Sequence, residues 1–88
     1  MINDIFYNNL DVIDLHGYDM DSARVATMDF IRDSYFLGRS KIVIIHGIGE
    51  GKVRKAVHEE LERNKLVKFY KIDNVNAGMT IVDIRINN

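Results

Sequence analysis

The first third of the chain changes from a strand-like to a helix-like hydrophobic pattern. "LDVIDLH", Leu10 to His16, alternates apolar and polar residues, as does a short strand whose end becomes polar on one side. After a break, apolar and small residues recur at helical spacing up to Gly38, a natural residue just beyond a helix end. Asp19 precedes this pattern as a plausible N-cap. The helical positions are Ala23, Ala26, Thr27, Phe30, Ile31 and Ser34.

The remainder of the chain repeats this alternation and then changes to strands alone. "KIVII", Lys41 to Ile45, is a nearly continuous apolar run, which is typical of a buried parallel strand. A helical pattern then covers about Lys52 to Asn64. Val67 to Ile72 and Met79 to Ile86 alternate as strands do, and Asp73 to Gly78 between them has the composition of a turn.

The predicted element order is therefore β-α-β-α-β-β. The first three strands belong to βα crossovers and should run parallel, whereas the short final connection favours an antiparallel pair. This order predicts an α/β fold, a two-layer sandwich of a mixed four-stranded sheet with two helices on one face. We expect one domain over residues 10–88, preceded by a loose lead-in over residues 1–9.

Composition narrows the classes of function. The 88 residues include no cysteine, which excludes disulfides, thiolate zinc sites and cysteine nucleophiles. No segment approaches the roughly 18 apolar residues of a membrane span. The opening "MINDIFYNN" lacks the layout of a signal peptide. We expect a cytoplasmic protein with no membrane partner.

Charge is distributed unevenly, although the formal net charge is only −1. Residues 1–38 hold seven Asp and two Arg, whereas residues 39–71 hold nine Lys or Arg and four Glu. The middle third could therefore face phosphates and the first third could not. The alternative is that both are merely solvated surfaces.

Three polar side chains are predicted to meet at the carboxyl ends of the parallel strands, where α/β proteins place their ligands. Asp14 and His16 stand two apart on one predicted strand, and His46 ends the next. Asp14 could orient the His16 imidazole as a general base. Two alternatives stay open: Asp14 caps backbone N–H groups, or Asp14 and one histidine hold a divalent metal such as Mg²⁺ or Mn²⁺.

The loop after His46 is rich in glycine and leads into a basic helix start. Bare backbone lets N–H groups approach an anion, and the helix start adds its dipole. Positive charge in a first helical turn opposes that dipole, which favours an anion bound there. The alternative is a plain turn that needs positive φ. The candidate phosphate-binding residues are Gly47, Gly49, Gly51, Lys52, Arg54 and Lys55.

The remaining histidine and the tyrosines are assigned no catalytic role. His58 lies in the middle of the second predicted helix, and we assign it a surface role only. The tyrosines could stack nucleobases, but single tyrosines more often pack half-buried. They are Tyr7, Tyr18, Tyr35 and Tyr70.

Three blocks together resemble the Smr domain, the small MutS-related domain. "IDLHG" at Ile13 to Gly17 is similar to the family's LDLHG, and "IIHGIGEGKVRKAV" at Ile44 to Val57 to its HGxGxGxLRxAV. "NAGMTIV" at Asn76 to Val82 is similar to its GGxGxTIV, with Gly78 and Thr80 retained. This chain lacks the family's double glycine.

The resemblance implies a fold similar to the C-terminal domain of translation initiation factor 3. It also implies nucleic-acid binding through the phosphate backbone and, in many members, endonuclease activity on RNA or DNA. The corresponding catalytic residues here are Asp14, His16 and His46, with the glycine loop, its basic residues, Gly78 and Thr80 as nucleic-acid-binding residues. The alternative is a non-catalytic module that binds nucleic acid or the ribosome. A ribosomal or repair-protein partner is compatible with either. A small phosphorylated metabolite is a weaker third alternative.

Overall fold

The computed structural model describes residues 10–87 and contains six elements in the predicted order. The strands are β1 (Asp11–Asp14), β2 (Lys41–Ile45), β3 (Val67–Ile72) and β4 (Met79–Ile84), and the helices are α1 (Met20–Phe36) and α2 (Lys52–Arg63). The predicted α/β class and mixed four-stranded sheet are confirmed. The lead-in predicted over residues 1–9 lies outside the described residues.

The sheet has the strand order β1-β2-β4-β3. β1 pairs with β2 in parallel, and β4 pairs antiparallel with both β2 and β3. β1, β2 and β3 therefore share one direction, as the sequence predicts. β4, the last strand in the chain, lies between β2 and β3 instead of at an edge.

The hydrophobic core lies between the sheet and the two helices. Alternate residues of β2 and β4 point into it because side chains of a strand alternate between its faces. The buried cluster joins Ile42, Ile44, Val82 and Ile84 of the sheet to Ala23, Ile31, Ala56, Val57 and Leu61 of the helices. Within residues 10–87, no helix is long and apolar enough to cross a membrane.

Helix α1 begins and ends where its sequence signals predict. The Asp19 carboxylate accepts a hydrogen bond from Ser22 N at 2.8 Å, which satisfies one free N–H of the first turn. At the other end Gly38 has φ +76°, a left-handed conformation that glycine adopts without strain. The N–H groups of Leu37 and Gly38 donate to Asp33 and Tyr35, which satisfies carbonyls of the last turn.

Three of the predicted elements extend too far at their C-terminal ends. β1 ends at Asp14 and not at His16, because Gly17 adopts φ +82° and Tyr18 N donates to Leu15 O at 3.1 Å, which closes a turn. α2 ends at Arg63, since Asn64 is extended, and β4 ends at Ile84. The correction at β1 concerns the site directly, because His16 stands in a turn and not on a strand.

Candidate nucleic-acid interface

The ends of β1 and β2 bring the first two predicted motifs together. Asp14 of β1 is in register with Ile45 of β2, and Leu15 N donates to Ile45 O at 2.7 Å. The turn with His16 therefore lies beside the loop that begins at His46. A Cβ atom placed on Gly47 would lie 3.3 Å from the His16 Cβ, which shows how closely turn and loop pack.

Asp14 and His16 form a carboxylate–imidazole pair. His16 Nδ1 lies 2.6 Å from Asp14 Oδ1, and His16 N donates to the same oxygen at 3.1 Å. These hydrogen bonds from His16 hold the pKa of Asp14 below its ordinary value of 3.8. An ionised carboxylate only accepts hydrogen bonds, so Nδ1 carries the proton and Nε2 of the neutral ring carries a lone pair.

The free edge of this imidazole faces solvent. The side chains of His16 and Asp14 are 70% and 51% exposed. His16 Nε2 has no hydrogen-bond partner within residues 10–87. The pair therefore presents an oriented and accessible base.

His46 is placed differently, because it is only 4% exposed and both of its ring nitrogens are occupied. Nδ1 lies 2.9 Å from Gly47 O and Nε2 lies 2.8 Å from Thr80 Oγ1. Burial lowers the pKa of His46 from its ordinary value, with the nearby Arg54 cation adding to the effect. A neutral His46 donates from Nδ1 to the Gly47 carbonyl and accepts the Thr80 hydroxyl proton at Nε2.

His58 joins the same network, which corrects the surface role expected for it. Its Nε2 lies 2.8 Å from Thr80 Oγ1, and its ring meets that of His46 edge-on with centroids 5.7 Å apart. Burial also lowers the pKa of His58. Since Thr80 donates its proton to His46, it accepts from His58. The helical position of His58 gave no signal of this contact, because strand β4 supplies the threonine.

Thr80 and Gly78 support the loop from behind. Thr80 is fully buried, so in this structure its hydroxyl meets the two histidines and cannot touch a nucleic acid directly. The carbonyl of Gly78 accepts hydrogen bonds from His46 N at 2.9 Å and Gly47 N at 3.0 Å. A Cβ on Gly78 would lie 3.2 Å from Asn76 Oδ1 and 3.4 Å from Gly47 Cα, so this turn packs closely against the loop.

The glycine loop surrounds an open cavity of about 380 Å³. All three loop glycines have positive φ, and Gly51 at +82° is the N-cap of α2 without a side chain to cap it. The first N–H groups of α2 thus lack a side-chain partner. The cavity is lined by the turn and the loop: His16, Gly17, Tyr18, His46, Gly47, Ile48, Gly49, Glu50, Gly51, Lys52 and Val53.

The three basic residues at the start of α2 separate in space. Lys52 lines the cavity, and its Nζ lies 3.3 Å from Glu50 Oε1. The Arg54 guanidinium folds back to Gly51, since a Cβ there would lie 3.1 Å from Nη2, and it forms no ion pair within residues 10–87. Lys55 instead lines another surface depression with His58 and Tyr70.

Metal binding by this site alone has little structural support. Within the described residues, no group of three or more His, Cys, Asp or Glu side chains is arranged to hold a metal ion. Asp14 and His16 bind each other, and the nearby His46 has no free ring nitrogen.

This is a small α/β domain in which an exposed Asp–His pair lies beside a glycine-rich helix start. Known proteins share both the sequence pattern and the fold. The Smr domain family model matches residues 13–85, and the chain belongs to this family. Endonuclease MutS2 of Clostridium acetobutylicum is 33% identical over 76 residues, and endonuclease MutS2 of Aquifex aeolicus is 39% identical over 61. These alignments cover 83% and 69% of this chain but only 10% and 8% of those proteins.

The solved structures agree with this assignment. The crystal structure of the Smr domain of Thermus thermophilus MutS2 superposes with a TM-score of 0.83 at 28% identity. The match covers 86% of this chain and 99% of that domain. This chain therefore corresponds to the Smr domain of those proteins and to about a tenth of the full-length curated relatives.

Proposed function

We propose that this Smr domain is an endonuclease that cleaves phosphodiester bonds of nucleic acid, in RNA or by nicking DNA. The observation that carries the proposal is the geometry of His16. Its Nδ1 is held by Asp14 at 2.6 Å, and its Nε2 opens toward solvent at the edge of a loop suited to an anion. The relatives named as endonucleases carry this same domain.

In the proposed mechanism His16 acts as the general base. Nε2 takes the proton of the nucleophile, which is a ribose 2′-hydroxyl in RNA or a water molecule in DNA. Asp14 keeps the imidazole in the required tautomer and stabilises the imidazolium that forms. The 2′-hydroxyl is an internal nucleophile that needs only correct placement, so RNA is the easier substrate.

The loop and its basic residues bind the phosphate in this mechanism. The uncapped N–H groups at the start of α2, the Arg54 guanidinium and Lys52 hold the non-bridging oxygens, where negative charge increases in the transition state. His46 acts through Gly47: its Nδ1–H holds the Gly47 carbonyl and so fixes the loop. The leaving oxygen takes its proton from solvent, to which the cavity is open.

The decisive experiment incubates the purified protein with labelled RNA and DNA oligonucleotides, in magnesium, manganese or chelator. Wild type should cut, and the double variant Asp14→Asn with His16→Ala should lose cleavage while its melting temperature stays within about 2 °C, since both side chains are exposed. Asp33→Asn, an exposed carboxylate at the far end of α1, is the matched control and should cut normally. Undiminished cleavage by the double variant would refute the assignment.

A non-catalytic module is the second candidate, favoured by one observation. His46 has both ring nitrogens occupied, so His16 is the one imidazole of the cavity with a free nitrogen. A site with a single such group suits binding as well as cleavage. Binding that survives in the double variant, with no product from wild type under any metal condition, would support this reading. A cytoplasmic location and a ribosomal or repair partner, expected from sequence, stay predictions.

A further inference from the structure

Two apolar side chains at the rim of the cavity have no part in the proposed chemistry. Tyr18 is 45% exposed and Ile48 is 67% exposed, and both line the cavity with His16. One belongs to the turn after β1 and the other to the tip of the glycine loop. Large apolar side chains exposed together beside a binding cavity indicate a ligand with an apolar surface.

The backbone around Tyr18 is held on both sides. Tyr18 N donates to Leu15 O at 3.1 Å, with Gly17 at φ +82° completing the turn. The next residue, Asp19, caps helix α1 through Ser22. The tyrosine is therefore presented from a fixed backbone, so binding a ligand against its ring requires little ordering.

The loop that carries Ile48 is held at its base. It stands between Gly47 and Gly49, which both have positive φ, and Gly47 N donates to Gly78 O at 3.0 Å. The loop tip thus projects a branched aliphatic side chain to solvent from a base held by the residue that precedes strand β4. The cavity has a rim that is apolar on two sides.

The charges beside this rim discourage a second phosphate backbone. Among the cavity residues the ammonium of Lys52 lies 3.3 Å from the Glu50 carboxylate, which offsets part of its charge. On the Tyr18 side, the next residue in the chain is Asp19, which adds an exposed negative charge. A duplex carries one phosphate charge for about every 1.7 Å of its axis and encloses its bases. It would therefore bring further phosphate charge beside the Glu50 carboxylate of the cavity, and its enclosed base faces could not stack on the Tyr18 ring.

An unpaired strand fits the same surface. Its bases expose their faces, which stack on aromatic side chains, and its single backbone needs only one anion site. We propose that this cavity binds an unpaired nucleotide, with the base against the Tyr18 ring and Ile48 and the adjoining phosphate at the glycine loop and Arg54. This inference rests on the proposed function for the phosphate end and adds the substrate class, single-stranded nucleic acid.

The test measures binding by fluorescence anisotropy, using a labelled unpaired 12-nucleotide RNA and the same strand annealed to its complement. All proteins carry Asp14→Asn so that the strands stay uncut. Tyr18→Ala should weaken single-strand binding about 5- to 150-fold, the usual range for losing one stacked base, and Ile48→Ala should weaken it less. Tyr18→Phe, which keeps the ring, should stay within about twofold.

Phe36→Ala is the matched control, because Phe36 is a 69% exposed aromatic residue at the end of α1 remote from the cavity. It should bind as its parent does. In the parent and in Phe36→Ala the duplex should bind more weakly than the single strand, and Tyr18→Ala should reduce that difference. If Tyr18→Ala behaves like Phe36→Ala, or the duplex binds as tightly as the single strand, the rim proposal is wrong while the endonuclease proposal stands. If neither nucleic acid binds, both proposals fail.

Discussion

At the scale of single residues, the three histidines of this domain have three different environments. His16 is exposed and held by one carboxylate, His46 is buried with both nitrogens occupied, and His58 shares the Thr80 hydroxyl with His46. Imidazole chemistry alone does not distinguish them. The difference comes from which neighbour takes which nitrogen, and it leaves His16 available for proton transfer.

The buried pair makes stability depend on pH. Burial lowers the pKa values of His46 and His58 below their ordinary value of 6.5, so between those values the unfolded chain binds more protons than the folded one. The free energy of unfolding should therefore fall as the pH drops from about 7 to about 5. Charged and titratable groups surround the pair: Arg54, Tyr70 and, through Tyr70, Glu62, together with Lys55, Glu59 and Arg63 in the depression beside His58.

Urea denaturation at several pH values measures this slope. His58→Gln keeps an N–H donor for Thr80 but does not titrate, so its stability should change less over that window than that of wild type. Asp14 contributes nothing there, because its lowered pKa keeps it ionised throughout. A slope identical in His58→Gln and wild type would show that His58 titrates as it does in the unfolded chain.

At the scale of elements, the turn after β1 and the loop after β2 work as one unit. Gly47 is the contact between them: it has φ +81°, and a Cβ there would lie 3.3 Å from the His16 Cβ. Gly38, at the end of α1, has φ +76° but open space around it. Substituting each glycine in turn therefore distinguishes the effect of backbone strain, which both positions share, from disturbance of the site, which only Gly47 allows.

Gly47→Ala and Gly38→Ala should each lose about 1–2 kcal/mol of unfolding free energy, because alanine is strained in the left-handed region. Only Gly47→Ala should also lose cleavage, since its methyl group would displace His16. Chemical denaturation and the oligonucleotide assay, run on both variants, check this. Equal activity in the two would mean that the turn and the loop move independently.

The sequence predicts the helices and strands of this fold better than it predicts where they end or which residues from other elements they contact. Asp19 and Gly38 carry local capping signals, and helix α1 forms between them as predicted. The predicted end of β1 was wrong because the turn at Gly17 depends on a left-handed residue, which the alternation of apolar and polar residues does not reveal. The contact of His58 with Thr80 spans 22 residues and arises only when β4 pairs with β2, so no local pattern could indicate it.

The candidate site also has a part that the sequence predicts and a part that depends on long-range packing. That Asp14, His16 and the glycine loop meet could be predicted, because parallel strands end at one edge of a sheet. Helical periodicity alone implies that Lys52, Arg54 and Lys55 point in different directions, but which of them faces the glycine loop depends on how α2 packs on the sheet. The burial of Thr80 and the support from Gly78 come from the position of β4 in the middle of the sheet.

At the scale of the whole molecule, the net charge is near zero, so the protein as a whole does not attract nucleic acid. Electrostatic attraction must therefore come from the local cations at one end of the sheet. Lys52 and Arg54 lie there, whereas Lys68 and Lys71 lie on β3. Binding to a single strand should weaken with salt in proportion to the phosphates neutralised, with a log–log slope of about −0.7 for each.

Replacing Lys52 and Arg54 together by glutamine should therefore reduce the magnitude of this slope by about 1.4. Replacing Lys68 and Lys71 by glutamine is the charge-matched control and should leave it unchanged. Anisotropy titrations of the single strand at several salt concentrations give both slopes. An equal reduction in the control would place the phosphate path across β3 instead of at the glycine loop.

The central place of β4 has a consequence for how a nascent chain acquires this site. Ribosomes deliver residues 10–77 first, and with them every side chain proposed to meet the substrate. The loop still lacks the Gly78 carbonyl that holds His46 and Gly47, and His46 lacks the Thr80 hydroxyl. Until residues 78–84 have left the exit tunnel and inserted between β2 and β3, the polypeptide holds the chemical groups of the proposed site without their arrangement.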